Sequence, residues 1–120
     1  MITSPSNPKV KLVRALARKK ERYAARQFVL EGARLVDDAL AAHIAPTLVL
    51  HTAQIENDAR ALLDQLRVAT PEVFAVSDAV MQDLATTETP QGILAVVPFP
   101  DLPLPAQPQF VLILDAVRDP

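Results

Sequence analysis

The sequence predicts an α/β fold: a three-layer α/β/α sandwich on a mostly parallel sheet. Short, nearly continuous apolar runs alternate with segments whose apolar residues recur at helical spacing. Those runs are apolar at successive positions rather than every second one, which suits strands covered on both faces. The chain has 120 residues, half of them apolar, and a mean hydropathy of +0.18, enough for one core and one full domain.

The first expected element is helical, from residue 8 to about residue 26. Ser4, Ser6 and Asn7 are candidate caps, and Pro8 takes a first-turn position where its missing N–H removes no helix bond. At 3.6 residues per turn, Leu12, Val13, Leu16 and Ala17 share one side and Lys11, Arg14, Arg18 and Arg22 the other. Lys19 and Lys20 fall between these sides, and one long helix or two shorter ones fit equally. Phe28, Val29 and Leu30 make a strand closed by a Glu31-Gly32 turn. Leu35, Val36, Ala39 and Leu40 then continue as a helix to about His43.

Residues 48–50 make a second strand. A helix follows over about residues 55–66, with Ile55, Ala59, Leu62, Leu63 and Leu66 on one face. Residues 73–76 make a third strand, Ser77 caps a short helix from Asp78 to about Leu84, and residues 93–97 supply a fourth strand. Pro98, Pro100, Pro103, Pro105 and Pro108 then strip backbone donors and hold the chain extended, so residues 98–108 read as a semi-rigid linker after a domain spanning 1–97. Beyond it, residues 110–114 form a strongly apolar run that reads as a strand entering a polar turn. The expectation is that residues 109–120 open a second domain.

Charge is segregated. Residues 1–34 carry nine lysines and arginines against Glu21 and Glu31, a net +7, and the remainder carries −9 within an overall −2. A basic arm on an acidic body is the electrostatic footprint of a polyanion-binding face; the competing reading is a solvated helix face. The absence of cysteine excludes disulfides, thiolate nucleophiles and cysteine-ligated zinc, and His43 and His51 alone make no metal site. Two glycines cannot build a phosphate-cradling loop, and no nucleotide-binding or nucleophile-elbow motif occurs. No apolar run is long enough for a membrane helix, and there is no signal peptide, so the expected location is the cytoplasm. Asp115 and Asp119 follow an apolar run as a metal-dependent phosphoesterase would place carboxylates, but Val117 stands where an Asp-x-Asp motif needs its second acid.

Four features are candidates for binding. The basic helix would neutralise phosphates without reading sequence. The turn Glu31-Gly32-Ala33-Arg34 lies at the carboxyl end of a strand, where ligands sit in open α/β sheets. Its structural alternative is a helix start with Glu31 at the positive dipole end and Arg34 paired to Asp38. The loop Thr86-Thr87-Glu88-Thr89-Pro90-Gln91-Gly92 offers hydroxyls and amides to ribose, phosphate or base edges, or is an ordinary helix-to-strand connection. Tyr23 and Phe28 are potential base-stacking surfaces, for which core packing is the favoured reading.

Four segments carry a resemblance to a known family: Ile2-Thr-Ser-Pro-Ser-Asn-Pro-Lys-Val-Lys11, Phe28-Val-Leu-Glu-Gly-Ala-Arg-Leu-Val36, Thr87-Glu-Thr-Pro-Gln-Gly-Ile-Leu-Ala-Val96 and Leu114-Asp-Ala-Val-Arg-Asp-Pro120. In this order they resemble the N-terminal part of SpoU/TrmH-type RNA 2′-O-methyltransferases of the SPOUT superfamily. The resemblance implies an RNA substrate-binding domain, similar in fold to ribosomal proteins that bind kinked RNA, linked to a trefoil-knotted methyltransferase domain. It implies RNA contact, most plausibly ribosomal RNA, at Asn7, Lys9, Lys11, Glu31, Arg34, Thr89 and Gln91, to which the basic helix adds Arg14, Arg18 and Arg22. The methyl donor S-adenosylmethionine is implied for the full-length parent and no cofactor for these residues, since the knot that binds it lies further on. The parent is expected to be a homodimer through that domain and this fragment a monomer without catalytic residues. The alternative is a stand-alone RNA-binding module of the kinked-RNA ribosomal type.

Overall fold

The computed structural model describes residues 1–116. In chain order these form α1 (Pro8–Ala15), α2 (Lys19–Ala25), β1 (Gln27–Glu31), α3 (Ala33–Ala41), β2 (Leu48–His51), α4 (Ala53–Asp58), α5 (Arg60–Ala69), β3 (Val73–Ala75), α6 (Asp78–Leu84) and β4 (Ile93–Pro98). The basic helical stretch is two helices. Arg18 leaves the helical region (φ −92°, ψ 132°), and Arg22 turns its guanidinium back onto the carbonyls of Leu16 (3.1 Å) and Ala17 (2.8 Å). That side chain supplies the donors which a continuing helix would have supplied from its backbone. The single helix expected over residues 55–66 is also two. Ala59 swings to φ −132°, ψ 40° while its N–H still reaches the Ile55 carbonyl at 2.9 Å, so the chain turns a corner between α4 and α5 without losing that bond.

The sheet order is β1-β4-β2-β3. β2 and β3 run parallel, but β4 is antiparallel to both its neighbours, with Glu31 opposite Leu94 and His51 opposite Ile93. The sheet is therefore mixed, and the expectation of a mostly parallel sheet is corrected. A parallel crossover must carry the chain back to the opposite end of the sheet. Here α6 has only seven residues, and the loop after it leads β4 to start where β1 and β2 finish.

Alternate residues of the two inner strands feed two cores, as strand periodicity requires. On one side Val10, Val13 and Leu16 of the first helix and its cap, with Val80 and Met81 of α6, cover Leu48, Leu50, Leu94 and Val96. On the other, Val36, Ile55, Leu62, Leu63 and Leu66 cover Val49, Ile93 and Ala95. Truncating a fully buried leucine such as Leu63 to alanine costs about 2–5 kcal/mol. His51, also buried, has its Nδ1 3.0 Å from the Thr52 carbonyl; a carbonyl only accepts, so Nδ1 carries the proton. The N-terminus closes the outer side of β3: Ile2 donates to the Ala75 carbonyl (2.8 Å) and accepts from Ser77 N–H (3.0 Å).

After β4 the chain runs without regular structure to residue 116. The strand expected over residues 110–114 is not formed. Phe110, Val111, Leu112, Ile113 and Leu114 are all exposed, and no described strand runs beside them to share a ladder. Asp119 and the rest of the final motif from residue 117 lie outside the described residues. No described helix is long and apolar enough to cross a membrane.

Candidate nucleic-acid interface

Asn7 and Pro8 start α1 as their residue types dictate: the Asn7 side chain accepts from Lys9 N–H at 2.9 Å, and Pro8 follows in the first turn. With Val10 and Val13 fixed in the core, Lys11, Arg14 and Arg18 must point outward, where they line one open depression. The cations of the first two helices differ in what they already touch. Lys9 pairs with Glu72 at 2.9 Å and lies 4.6 Å from the Phe74 ring centroid. Arg14 pairs with Asp83 and donates to the Pro5 carbonyl at 3.3 Å. Arg22 is held by the Leu16 and Ala17 carbonyls just beyond α1. Lys11 and Arg18 have no carboxylate within 4.0 Å among the described residues.

These ion pairs are half-exposed, and such pairs contribute only about 0.2–1 kcal/mol. They hold Lys9 and Arg14 in position without neutralising the face. Tyr23, expected in the core, is 63% exposed: α2 buries none of its residues, so nothing draws its aromatic ring inward.

At the carboxyl end of β1, Glu31 fastens the loop that precedes β4. It accepts from Thr86 N–H (3.1 Å), the Thr86 hydroxyl (3.0 Å) and the Thr87 hydroxyl (2.7 Å). Partial burial would raise the carboxyl's pKa, but the Thr87, Thr86 and Gln91 donors together outweigh it and hold Glu31 below the usual glutamate value. Gly32 follows at φ 102°, ψ 145°, with the Gln91 carboxamide packed where a Cβ would stand. Gly92 closes the loop on the other side at φ 79°, its carbonyl accepting from Thr52 N–H at 2.9 Å. Thr89 and Gln91 are thereby presented on the surface at the ends of β1 and β2.

The sequence-derived residues are thus divided into three places. Asn7, Lys9, Lys11, Arg14, Arg18 and Arg22 lie on α1, α2 and their caps, with Lys9 turned toward Glu72 and Phe74 and away from the depression of Lys11, Arg14 and Arg18. Glu31, Thr89 and Gln91 form the strand-end cluster, and Arg22 and Glu31 both line a cavity of about 320 Å³ that joins the two. Arg34 opens α3 on the other side of the sheet, in a depression shared with Asp37 and Gln65. Its expected ion pair with Asp38 is not formed. Thr52, Gln54 and Gln82 escaped the sequence reading; they line a polar cavity of about 310 Å³ with Asp78 and Gln91. The only signal they gave was polarity just after a strand or on the outer face of a helix. Among the described residues no three His, Asp or Glu side chains cluster as a metal site, and Asp115 is exposed.

Residues 7–95 match the family model described as the MRM3-like substrate binding domain. The chain is 34% identical over 121 residues to the 23S rRNA (guanosine(2553)-2′-O)-methyltransferase RlmP of Bacillus subtilis, an alignment covering 99% of this chain and 45% of that protein. The chain thus spans less than half the length of that relative. Among solved structures, it is similar to an RNA 2′-O ribose methyltransferase (TM-score 0.71, 31% identity, 89% of this chain and 40% of that one). It is also similar to an AdoMet-bound rRNA methyltransferase from Sinorhizobium meliloti (TM-score 0.70, 27% identity, 85% and 37%).

Proposed function

The chain belongs to the MRM3-like substrate-binding family of SpoU/TrmH rRNA 2′-O-methyltransferases, and on that premise we propose that it docks ribosomal RNA so that one ribose 2′-hydroxyl reaches a methyl-transfer site elsewhere in the parent enzyme. The observation that carries this is the cationic face of α1. Lys11 and Arg18 project from a core-anchored helix with no described carboxylate partner, and Arg14 is held beside them by a weak, exposed pair. Such a face binds phosphates and fixes orientation without reading bases. The strand-end cluster supplies the complement: Thr89 and Gln91 offer a hydroxyl and an amide to ribose or base edges, held in place by Glu31 and Gly32. Arg34 would meet only RNA that wraps around the sheet edge.

In this reading residues 1–97 are the docking unit, 98–108 the linker and 109–120 the opening of the methyl-transfer part, with S-adenosylmethionine bound in the parent. The residues described here do not fit that cofactor. Gly32 is filled by Gln91, and a Cβ on Gly92 would lie 2.9 Å from both Ile55 and Thr52, so neither glycine offers open backbone to an adenosine. No step of methyl transfer is assigned to this chain. Its contribution is positioning, which lowers the barrier by fixing the reacting group before chemistry begins. The same reading carries a cytoplasmic location, a monomeric docking unit and a homodimeric parent.

The test is binding to ribosomal RNA hairpins across a salt series, with wild type beside Lys11→Ala/Arg18→Ala. Both side chains are exposed and outside the core, so the variant keeps its fold. Losing two phosphate contacts should lower the steepness of log K against log salt by about 1–2. An unchanged slope would refute the docking role of α1.

A further inference from the structure

Helix α2 has no buried residue, and yet it holds one aromatic ring in a defined pose. Tyr23 is 63% exposed. Phe99, the first residue after β4, packs T-shaped against it, with ring centroids 5.6 Å apart and planes at 84°. Phe99 is itself anchored, tilted on Phe28 at 5.9 Å and donating its N–H to the Arg26 carbonyl at 2.9 Å. Lys19 Nζ lies 5.7 Å from the Tyr23 ring centroid, and the Arg26 guanidinium 5.7 Å from that of Phe99.

On a helix of 3.6 residues per turn, Lys19, Tyr23 and Arg26 share one side, while Glu21 lies roughly 160° from Tyr23. Neither Lys19 nor Arg26 has a carboxylate within 4.0 Å among the described residues. The result is an exposed aromatic ring held against Phe99, with Lys19 over it and Arg26 over its Phe99 neighbour, on the side of the helix away from its one acid. Its charge complements a polyanion, and its ring complements a flat π-system.

We propose that Tyr23 is a stacking platform for one unpaired nucleobase of the RNA, with Lys19 and Arg26 taking the phosphates on either side of it. A base inside a duplex has both faces covered by its neighbours, so the platform accepts only a looped-out or single-stranded base. The inference rests on the RNA-docking reading and deepens it. Since α1 is suited to phosphates of any strand and α2 follows it after three residues, the substrate class is an RNA stem with an unpaired nucleotide beside it.

The chain has one tyrosine and no tryptophan, so tyrosine fluorescence reports on residue 23 alone. The full chain is titrated with a single-stranded oligouridylate and with a blunt RNA duplex of equal charge. Free N-acetyl-tyrosinamide is titrated in parallel to subtract absorption by the RNA, and anisotropy of labelled RNA measures binding. The expected result is quenching by the oligouridylate only. Tyr23→Leu should weaken oligouridylate binding by about tenfold, Tyr23→Phe should preserve it, and neither should alter duplex binding. If RNA binds wild type and Tyr23→Leu equally, or binds without quenching, the platform is overturned while docking through α1 stands. Equal weakening for both RNAs also overturns it, since that is not base stacking. If neither RNA binds wild type at low salt, the docking reading falls as well.

Discussion

Gly32 is where a single methyl group should report on both the backbone and the strand-end cluster. Its conformation, φ 102° and ψ 145°, lies in a region that residues with a Cβ avoid, at a cost of about 1–3 kcal/mol. A Cβ there would also strike the Gln91 carboxamide, which is the far end of an exposed, flexible side chain. Moving that side chain off its preferred rotamer adds about 0.5–1.5 kcal/mol. The backbone term is therefore the larger, and it cannot relax without shifting the start of α3. Equilibrium unfolding in urea should show Gly32→Ala destabilised by about 1.5–4.5 kcal/mol. Each kcal/mol of this corresponds to about 4–8 °C in Tm for a domain of this size. In a Gln91→Ala background the steric part disappears, and Gly32→Ala should still cost the backbone's about 1–3 kcal/mol. Full rescue by Gln91→Ala would refute the argument from backbone strain, and a loss below about 0.5 kcal/mol in the wild-type background would refute both parts.

Two further outcomes follow from the same geometry. Glu31 has a folded pKa below its unfolded value, so its contribution to stability is complete above the unfolded glutamate value of about 4.3 and is lost as pH falls through the lower folded value. The gap in urea midpoint between wild type and Glu31→Gln should accordingly be widest near about pH 7 and shrink toward about pH 3; a constant gap would mean that the charge is not what holds Thr86 and Thr87. Asn7→Ala removes the cap that accepts from Lys9 N–H and should lower stability by about 1 kcal/mol, with circular dichroism and urea unfolding as the measurement. A variant that loses RNA affinity at unchanged stability would instead make Asn7 a contact residue.

What could be read from the sequence was local. Asn7 with Pro8, the Glu31-Gly32 turn and Ser77 as a cap are signals carried within a few residues; each element appears where such a signal stands, and Ser77 accepts from Val80 N–H at 3.3 Å. The direction of β4 was not legible. Residues 93–97 are apolar and buried because β4 has a strand on both sides and helices over both faces, and that environment is the same whichever way the strand runs. Direction was set instead by the loop of residues 85–92, which Glu31 anchors from 55 positions away. The division of α1 from α2 was equally hidden, because it depends on Arg22 serving as a surrogate donor for Leu16 and Ala17. Residues 110–114 failed in the opposite sense. Their composition describes a strand, but a strand exists only beside a neighbour, and composition does not supply one.

The same limit governed the charge argument. Segregated charge marked the cationic stretch but could not say which cations the acidic body had already engaged, since Arg14 meets Asp83 across 69 positions and Lys9 meets Glu72, the residue just before β3. Because those pairs are exposed, the proposed docking would exchange a carboxylate for a phosphate oxygen at close to neutral free energy, with the acids as placeholders that keep long side chains extended. Lys11, Arg18, Lys19 and Arg26 have no described carboxylate partner and, in the proposed docking, would supply the net attraction. An interface of this kind draws its salt dependence from the unpaired cations and its register from the paired ones. Substituting Lys11 and Arg18 is therefore the sharper test of affinity, whereas substituting Asp83 would free Arg14 and leave the net attraction for RNA intact or increased.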